Sequence, residues 1–137
     1  MNITRLAGAL VASAALAVPA VALSAPDAHA RHGGASTVRV AGTCTASTHA
    51  KLKAKADDGR LAVEFEVDAN RKGQRWSVAI TDNGEKVWSG TRVTKGRSGS
   101  FSVEKRTANR AGVDVISATA TNARSGETCT ATLTYSR

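Results

Sequence analysis

From Thr37 onward the chain alternates apolar and polar residues in short segments, and turn-forming residues interrupt the alternation every 8–12 positions or so. No stretch places apolar residues at helical spacing between helix caps. The segment 50–67 is the best specified. A two-residue turn at Asp58-Gly59 sets Ala56 opposite Leu61, Ala54 opposite Val63, Leu52 opposite Phe65 and Ala50 opposite Val67. The same register sets Asp57 opposite Arg60, Lys53 opposite Glu64 and Lys51 opposite Glu66. One face is then wholly apolar while the other pairs opposite charges. A slip of one residue would invert every side chain, so this coincidence specifies the register.

Two further hairpins follow. A turn at Asn83-Gly84 sets Ile80 opposite Val87 and Val78 opposite Ser89, with Trp76 on the same inward face. Trp88 then falls opposite Ala79 and faces outward, and Asp82 meets Glu85, a like-charge contact that a slightly longer loop would relieve. A turn at Ser125-Gly126 pairs Ala120 with Ala131, Ala118 with Leu133 and Ile116 with Tyr135, turns Cys129 inward and brings Arg124 to Glu127. Between these hairpins Phe101 and Val103 alternate with polar residues. The pattern predicts strands at 37–44, 50–56, 60–68, 75–81, 86–93, 100–106, 113–121 and 128–135. The expected fold is an all-β, immunoglobulin-like antiparallel β-sandwich of seven or eight strands, with Trp76 as the central core aromatic near the cysteines. A small barrel would use the same alternation.

The run KLKAKADDGRLAVEFEVDANRKGQRWSVAITDNGEKVWSG, followed by SGSFSVEKRTANRAG and ATNARSGETC, resembles a group of small secreted actinobacterial proteins. The resemblance extends over roughly Thr37 to Tyr135 and rests on turns and core positions. It implies a signal peptide, two cysteines and an immunoglobulin-like fold, and it carries over no functional residue.

The first 30 residues read as an export signal: one positive charge in Met1–Arg5, then an apolar run from Leu6 to Leu23 interrupted by Gly8, Ser13 and Pro19. Ala28-His29-Ala30 places small residues where a signal peptidase requires them, so cleavage is expected after Ala30. The division is therefore 1–30 signal peptide, 31–36 flexible polar start and 37–137 folded domain. A retained anchor would be the alternative, and Pro19 with the small-residue exit opposes it. No arginine pair precedes the apolar run, no cysteine follows it directly, and Tyr135-Ser136-Arg137 carries no apolar tail, so a released extracellular product is expected. In that compartment Cys44 and Cys129 read as one disulfide. Closing a loop that long contributes about 4 kcal/mol on the chain-entropy argument. Metal or redox use of the two thiols would require a Cys-x-x-Cys spacing or partner ligands, which the chain lacks.

Composition adds a charge. The chain has 19 Lys+Arg against 11 Asp+Glu, and only Arg5 and Asp27 precede residue 31, so the whole net charge of +8 stays with the exported part. Beyond the lysines opposed by Glu64 and Glu66, three clusters remain: Arg71-Lys72-Arg75, Arg92-Lys95-Arg97 and Lys105-Arg106-Arg110. Such a surface attracts polyanions. Export favours anionic wall polymers over nucleic acid, and no aromatic residues interleave with the basic ones as single-strand binders require. High charge also keeps a secreted protein soluble. Trp88, turned outward, could stack on a sugar ring, and Thr119, Thr121, Thr130, Thr132 and Thr134 form an outward array that equally suits a solvated strand.

Catalytic chemistry finds little purchase. His32 lies in the flexible start and His49 precedes a strand near Ser47, with no third group to orient it. Glu64 and Glu66 share a face, but the opposing lysines would keep both charged. Asp57-Asp58-Gly59 opens like a calcium loop without the later acidic ligands, and Arg31-His32 is too short a signal for copper. The reading is a non-catalytic secreted monomer without cofactor or metal, binding anionic cell-envelope polymers through Arg71, Lys72, Arg75, Trp88, Arg92, Lys95, Arg97, Lys105, Arg106 and Arg110. A secreted inhibitor presenting Thr94–Ser100 to a protease is the alternative, and a small hydrolase comes last.

Overall fold

Period-two alternation becomes nine antiparallel strands: β1 Thr37–Ala41, β2 Thr43–Cys44, β3 His49–Asp57, β4 Arg60–Asp68, β5 Arg75–Asp82, β6 Glu85–Val93, β7 Ser100–Ala108, β8 Val113–Asn122 and β9 Thr128–Ser136. The computed structural model describes residues 36–137, part of a unit spanning Arg31–Arg137. The expected signal peptide at 1–30 and residues 31–35 of the start expected to be flexible lie outside the described residues. Two sheets, ordered β1-β3-β4-β7 and β2-β9-β8-β5-β6, form the expected sandwich. Their inner faces supply one core, with Leu52, Phe65 and Val103 from the first sheet and Trp76, Ile80, Ile116 and Leu133 from the second, all buried. Trp76 joins the layers: its ring centroid lies 6.3 Å from that of Phe101 on the opposite sheet, in a tilted arrangement.

The β3–β4 hairpin has the register its sequence predicts at every position, from Asp57 opposite Arg60 to Ala50 opposite Val67. Lys51 Nζ lies 3.2 Å from Glu66 Oε1, and Lys53 pairs with Glu64. The positive φ of 47° at Asp58 and 73° at Gly59 makes the two-residue turn and matches the strand twist.

Three local features differ from the simple alternation. The leading strand predicted over 37–44 breaks at Gly42, so β1 pairs with β3 in one sheet while β2 pairs with β9 in the other. The crossing is tight: a Cβ at Gly42 would lie 2.8 Å from the Thr130 carbonyl oxygen and 3.0 Å from Ala50 Cβ. The second hairpin keeps Asp82 opposite Glu85, but Val87 bulges and Ile80 faces Trp88 instead. Without the bulge the indole would project into water; with it, Val87 and Trp88 both pack against the core. The third hairpin is shifted by two residues, with Ala120 opposite Cys129 and Ile116 opposite Leu133. An even shift preserves which face is buried. The longer loop arises because buried Asn122 folds it back, accepting from the amides of Arg124 and Ser125.

Cys44 and Cys129 form the disulfide, and no described cysteine is free. The bridge joins neighbouring strands of one sheet, whereas the antibody-domain bridge crosses between sheets. An oxidising compartment sustains such a bond.

Because Gly42 allows the chain to pass between sheets, Gly42→Val should destabilise the domain by about 1–3 kcal/mol. Urea unfolding monitored by tryptophan fluorescence measures this, and an unchanged midpoint would show that the crossover accommodates a side chain.

Candidate functional site

Antiparallel strands deliver the loops alternately to two ends of the sandwich. The β2–β3, β4–β5, β6–β7 and β8–β9 connections share one end, and the turns at 58–59 and 83–84 share the other with the β7–β8 loop. The first end gathers Arg71, Lys72 and Arg75 with Lys95, Arg97 and Arg124. All six are exposed, and none makes an ion pair among the described residues. Two carboxylates occur there, and both are engaged by backbone: Asp68 accepts from the Asn70 amide at 3.1 Å and Glu127 from the Thr48 amide at 3.0 Å.

Buried polar side chains hold these loops. Thr94, 1% exposed, donates its hydroxyl to the Arg71 carbonyl and accepts from the Gln74 amide at 2.9 Å. Its backbone closes two more bonds, from Gly73 N to Thr94 O at 2.8 Å and from Thr94 N to Gln74 O at 2.9 Å. Gly99 stands so close to the Arg71 backbone that no Cβ fits, and its carbonyl accepts from Ala69 N at 3.1 Å. The two sequence clusters around residues 71 and 95 are thus one packed unit. Across from it, Asn122 fixes the β8–β9 loop, which is tied to β5 by Ala123 N donating to Arg75 O at 2.9 Å. Between the Arg71–Arg75 and Asn122–Ser125 segments runs a cleft of about 750 Å³.

The other expected ligand contacts are placed elsewhere. Trp88 does not face outward: the bulge turns it to the inner side of β6, at the open edge between β6 and β7, where it is half-buried. Its six-membered ring lies against Gly90, Arg92 Cζ sits 4.4 Å from the ring centroid, and Lys105 Nζ sits 5.3 Å from it. Trp88, Arg92 and Lys105 are therefore partners of one another. Arg106 pairs with Asp57, and Arg110 binds Asp82 at 3.0 Å and Glu85 at 2.7 Å. The expected cluster Lys105-Arg106-Arg110 is thus dispersed and largely neutralised, because residues 105 and 106 project from opposite faces of β7. Along the outer face of the second sheet Thr119 pairs with Thr130, Thr121 with Thr128 and Ser117 with Thr132, leaving Thr134 beside Val115.

His49 is exposed at the start of β3 and makes no side-chain hydrogen bond to Ser47 among the described residues. The same residues contain no group of three His, Cys, Asp or Glu placed to hold a metal. No family model matches the chain, nor does any curated protein or solved structure.

Sequence reasoning missed Arg124, which the third hairpin had paired with Glu127; only the even register shift moves it to the cleft. It also missed the buried acids Asp82 and Asp114. Their signal was parity, since Asp82 falls in phase with inward Ile80 and Asp114 with inward Ile116.

Thr94→Val removes a hydroxyl that satisfies two backbone groups, and should cost about 1–3 kcal/mol. Hydrogen exchange should accelerate at the amides of residues 73 and 74 more than at the β3–β4 hairpin. Equal protection in variant and wild type would show that the loop is held without this side chain.

Proposed function

We propose that the protein is exported and binds anionic polymers of the cell envelope through the basic end of the sandwich, as a non-catalytic monomer. The observation that carries this reading is the gathering of six unpaired cations by loops whose buried residues, Thr94 and Asn122, fix their conformation. A cluster of one sign held on a rigid scaffold raises the local concentration of polyanions and speeds their association. Fixed loops lose little conformational freedom on binding. Four of the six cations are arginines, whose planar forks suit phosphate and carboxylate groups. The disulfide fits export, as does the resemblance to small secreted proteins.

The inhibitor reading has less support. Residues 94–100 form a tight turn, with Lys95 and Ser100 exchanging backbone hydrogen bonds at 2.8 and 2.9 Å and Gly99 buried against Arg71. A protease cleft takes an extended strand. Hydrolysis by the Glu64–Glu66 pair is opposed by their ion pairs with Lys53 and Lys51.

The exported protein should pellet with insoluble cell-wall material at low salt and be released at high salt. Arg71→Glu with Arg124→Glu should weaken this by about tenfold or more. Arg39→Glu with Lys55→Glu applies the same charge change to the outer face of the first sheet and should have a much smaller effect. Equal losses in the two double variants would assign binding to net charge and reject the site.

A further inference from the structure

The opposite end of the sandwich contains two carboxylates withdrawn from water. Asp82 and Asp114 are 1% and 0% exposed. Asp82 stands opposite Ile116, so the two acids are diagonal neighbours on the inner face of the second sheet. One oxygen of each is occupied. Asp82 Oδ2 accepts from the Thr107 hydroxyl at 2.9 Å and lies 3.0 Å from Arg110 Nη1, while Asp114 Oδ2 accepts from the Arg110 amide at 3.2 Å. The remaining oxygens, Asp82 Oδ1 and Asp114 Oδ1, are buried without a donor. A buried acceptor left unpaired carries its full desolvation penalty.

The neighbouring groups do not make up the deficit. Arg110 gives Nη2 to Glu85 of β6 and sets Nη1 3.0 Å from Asp82 Oδ2, but Nη1 is buried without a hydrogen bond and reaches neither Oδ1. Tyr135, opposite Asp114 on β9, donates its hydroxyl to the Ser36 carbonyl at 3.2 Å. Arg60, Lys86 and Arg106 line the adjoining cleft of about 280 Å³ and give no hydrogen bond to either Oδ1. Two buried carboxylates therefore face one guanidinium, and no donor reaches either Oδ1. We infer that Asp82 and Asp114 hold one proton between them, and that this proton makes the pair a pH-sensitive clasp between the two sheets. Thr107 on β7 belongs to the first sheet and both acids to the second, so the clasp spans the layers.

The electrostatics of the site agree with its geometry. Burial first, and then the charge of Asp82, push the Asp114 carboxyl above the ordinary aspartate range, while the Arg110 amide and guanidinium act in the opposite sense. A carboxyl whose pKa is raised in the folded state binds its proton more tightly there than in the unfolded chain. Its contribution to stability is therefore complete below the unfolded pKa and is lost as pH rises through the folded one. Once the proton leaves, two like charges face each other in the interior, and the Thr107 contact and the β7–β8 loop should loosen.

The test compares thermal unfolding of the wild type and Asp114→Asn between pH 4 and pH 8. The amide supplies a permanent donor without charge, so the variant should match the wild type near pH 4 and melt about 5 °C higher near pH 7. Parallel melting profiles would overturn the inference. Should the variant fail to fold, carboxyl-carbon NMR of the wild type decides: one of the two aspartates must titrate above the ordinary range, and two ordinary titrations refute the shared proton. Adding calcium chloride at pH 7 separates a metal from a proton. Stabilisation of the wild type that Asp114→Asn abolishes would show a cation bridging the pair and would also overturn the proposal.

Discussion

A two-layer β-sandwich buries every second residue, and that constraint decides where this charged chain can carry its charge. The inner faces admit almost only apolar side chains, so the charged residues go to the outer faces, the strand edges and the two ends. On the outer face of β3–β4, register places each acid against a base, and the charges cancel locally. Arg39 and Lys55 on the same sheet have no acid opposite them, and where loops replace strands no cross-strand partner is imposed at all.

The two ends solve the return of the chain differently. At one end two-residue turns with positive φ at Asp58 and Asn83 keep the strands in close register, and the β7–β8 loop lays Arg110 over buried acids. Asp57, Asp82 and Glu85 pair there with Arg106 and Arg110, while Arg60 and Lys86 are exposed without an ion pair among the described residues. At the other end the loops are longer, and their shape comes from Thr94 and Asn122, which bond to backbone from below. That leaves the surface side chains free of structural duty, and the exposed cations are unneutralised. The open edge between β6 and β7 is a third boundary, where Trp88 covers the core and Arg92 and Lys105 cover Trp88.

How far the sequence discloses this depends on whether the information is local. The β3–β4 register is legible because the apolar face and the charge pairs specify the same turn. The inward parity of β8 and β9 is legible too, and survives a shift of two residues. The bulge at Val87 is not, because it is decided by the gain from burying an indole against residues distant in sequence. The sheet change at Gly42 is hidden for a similar reason: the glycine matters through its approach to Thr130 and Ala50. Of the candidate binding residues, the Arg71 and Lys95 clusters could be identified separately, but their union depends on Gly99 and Thr94, which read as ordinary loop residues. Trp88 was misplaced by the same bulge, and Arg124 by the longer loop.

Site-resolved NMR of the isotopically labelled protein titrated with inorganic polyphosphate tests most directly whether the six exposed cations on the loops of one end act together as a polyanion site. Shifts should concentrate in the 69–75, 94–99 and 122–127 segments, including the side-chain guanidinium signals of Arg71, Arg75 and Arg124. The Arg106 and Arg110 signals and the outer face of β3–β4 should stay in place. Shifts spread evenly over both ends and the outer faces would contradict the account and leave the net charge as a property of the whole surface.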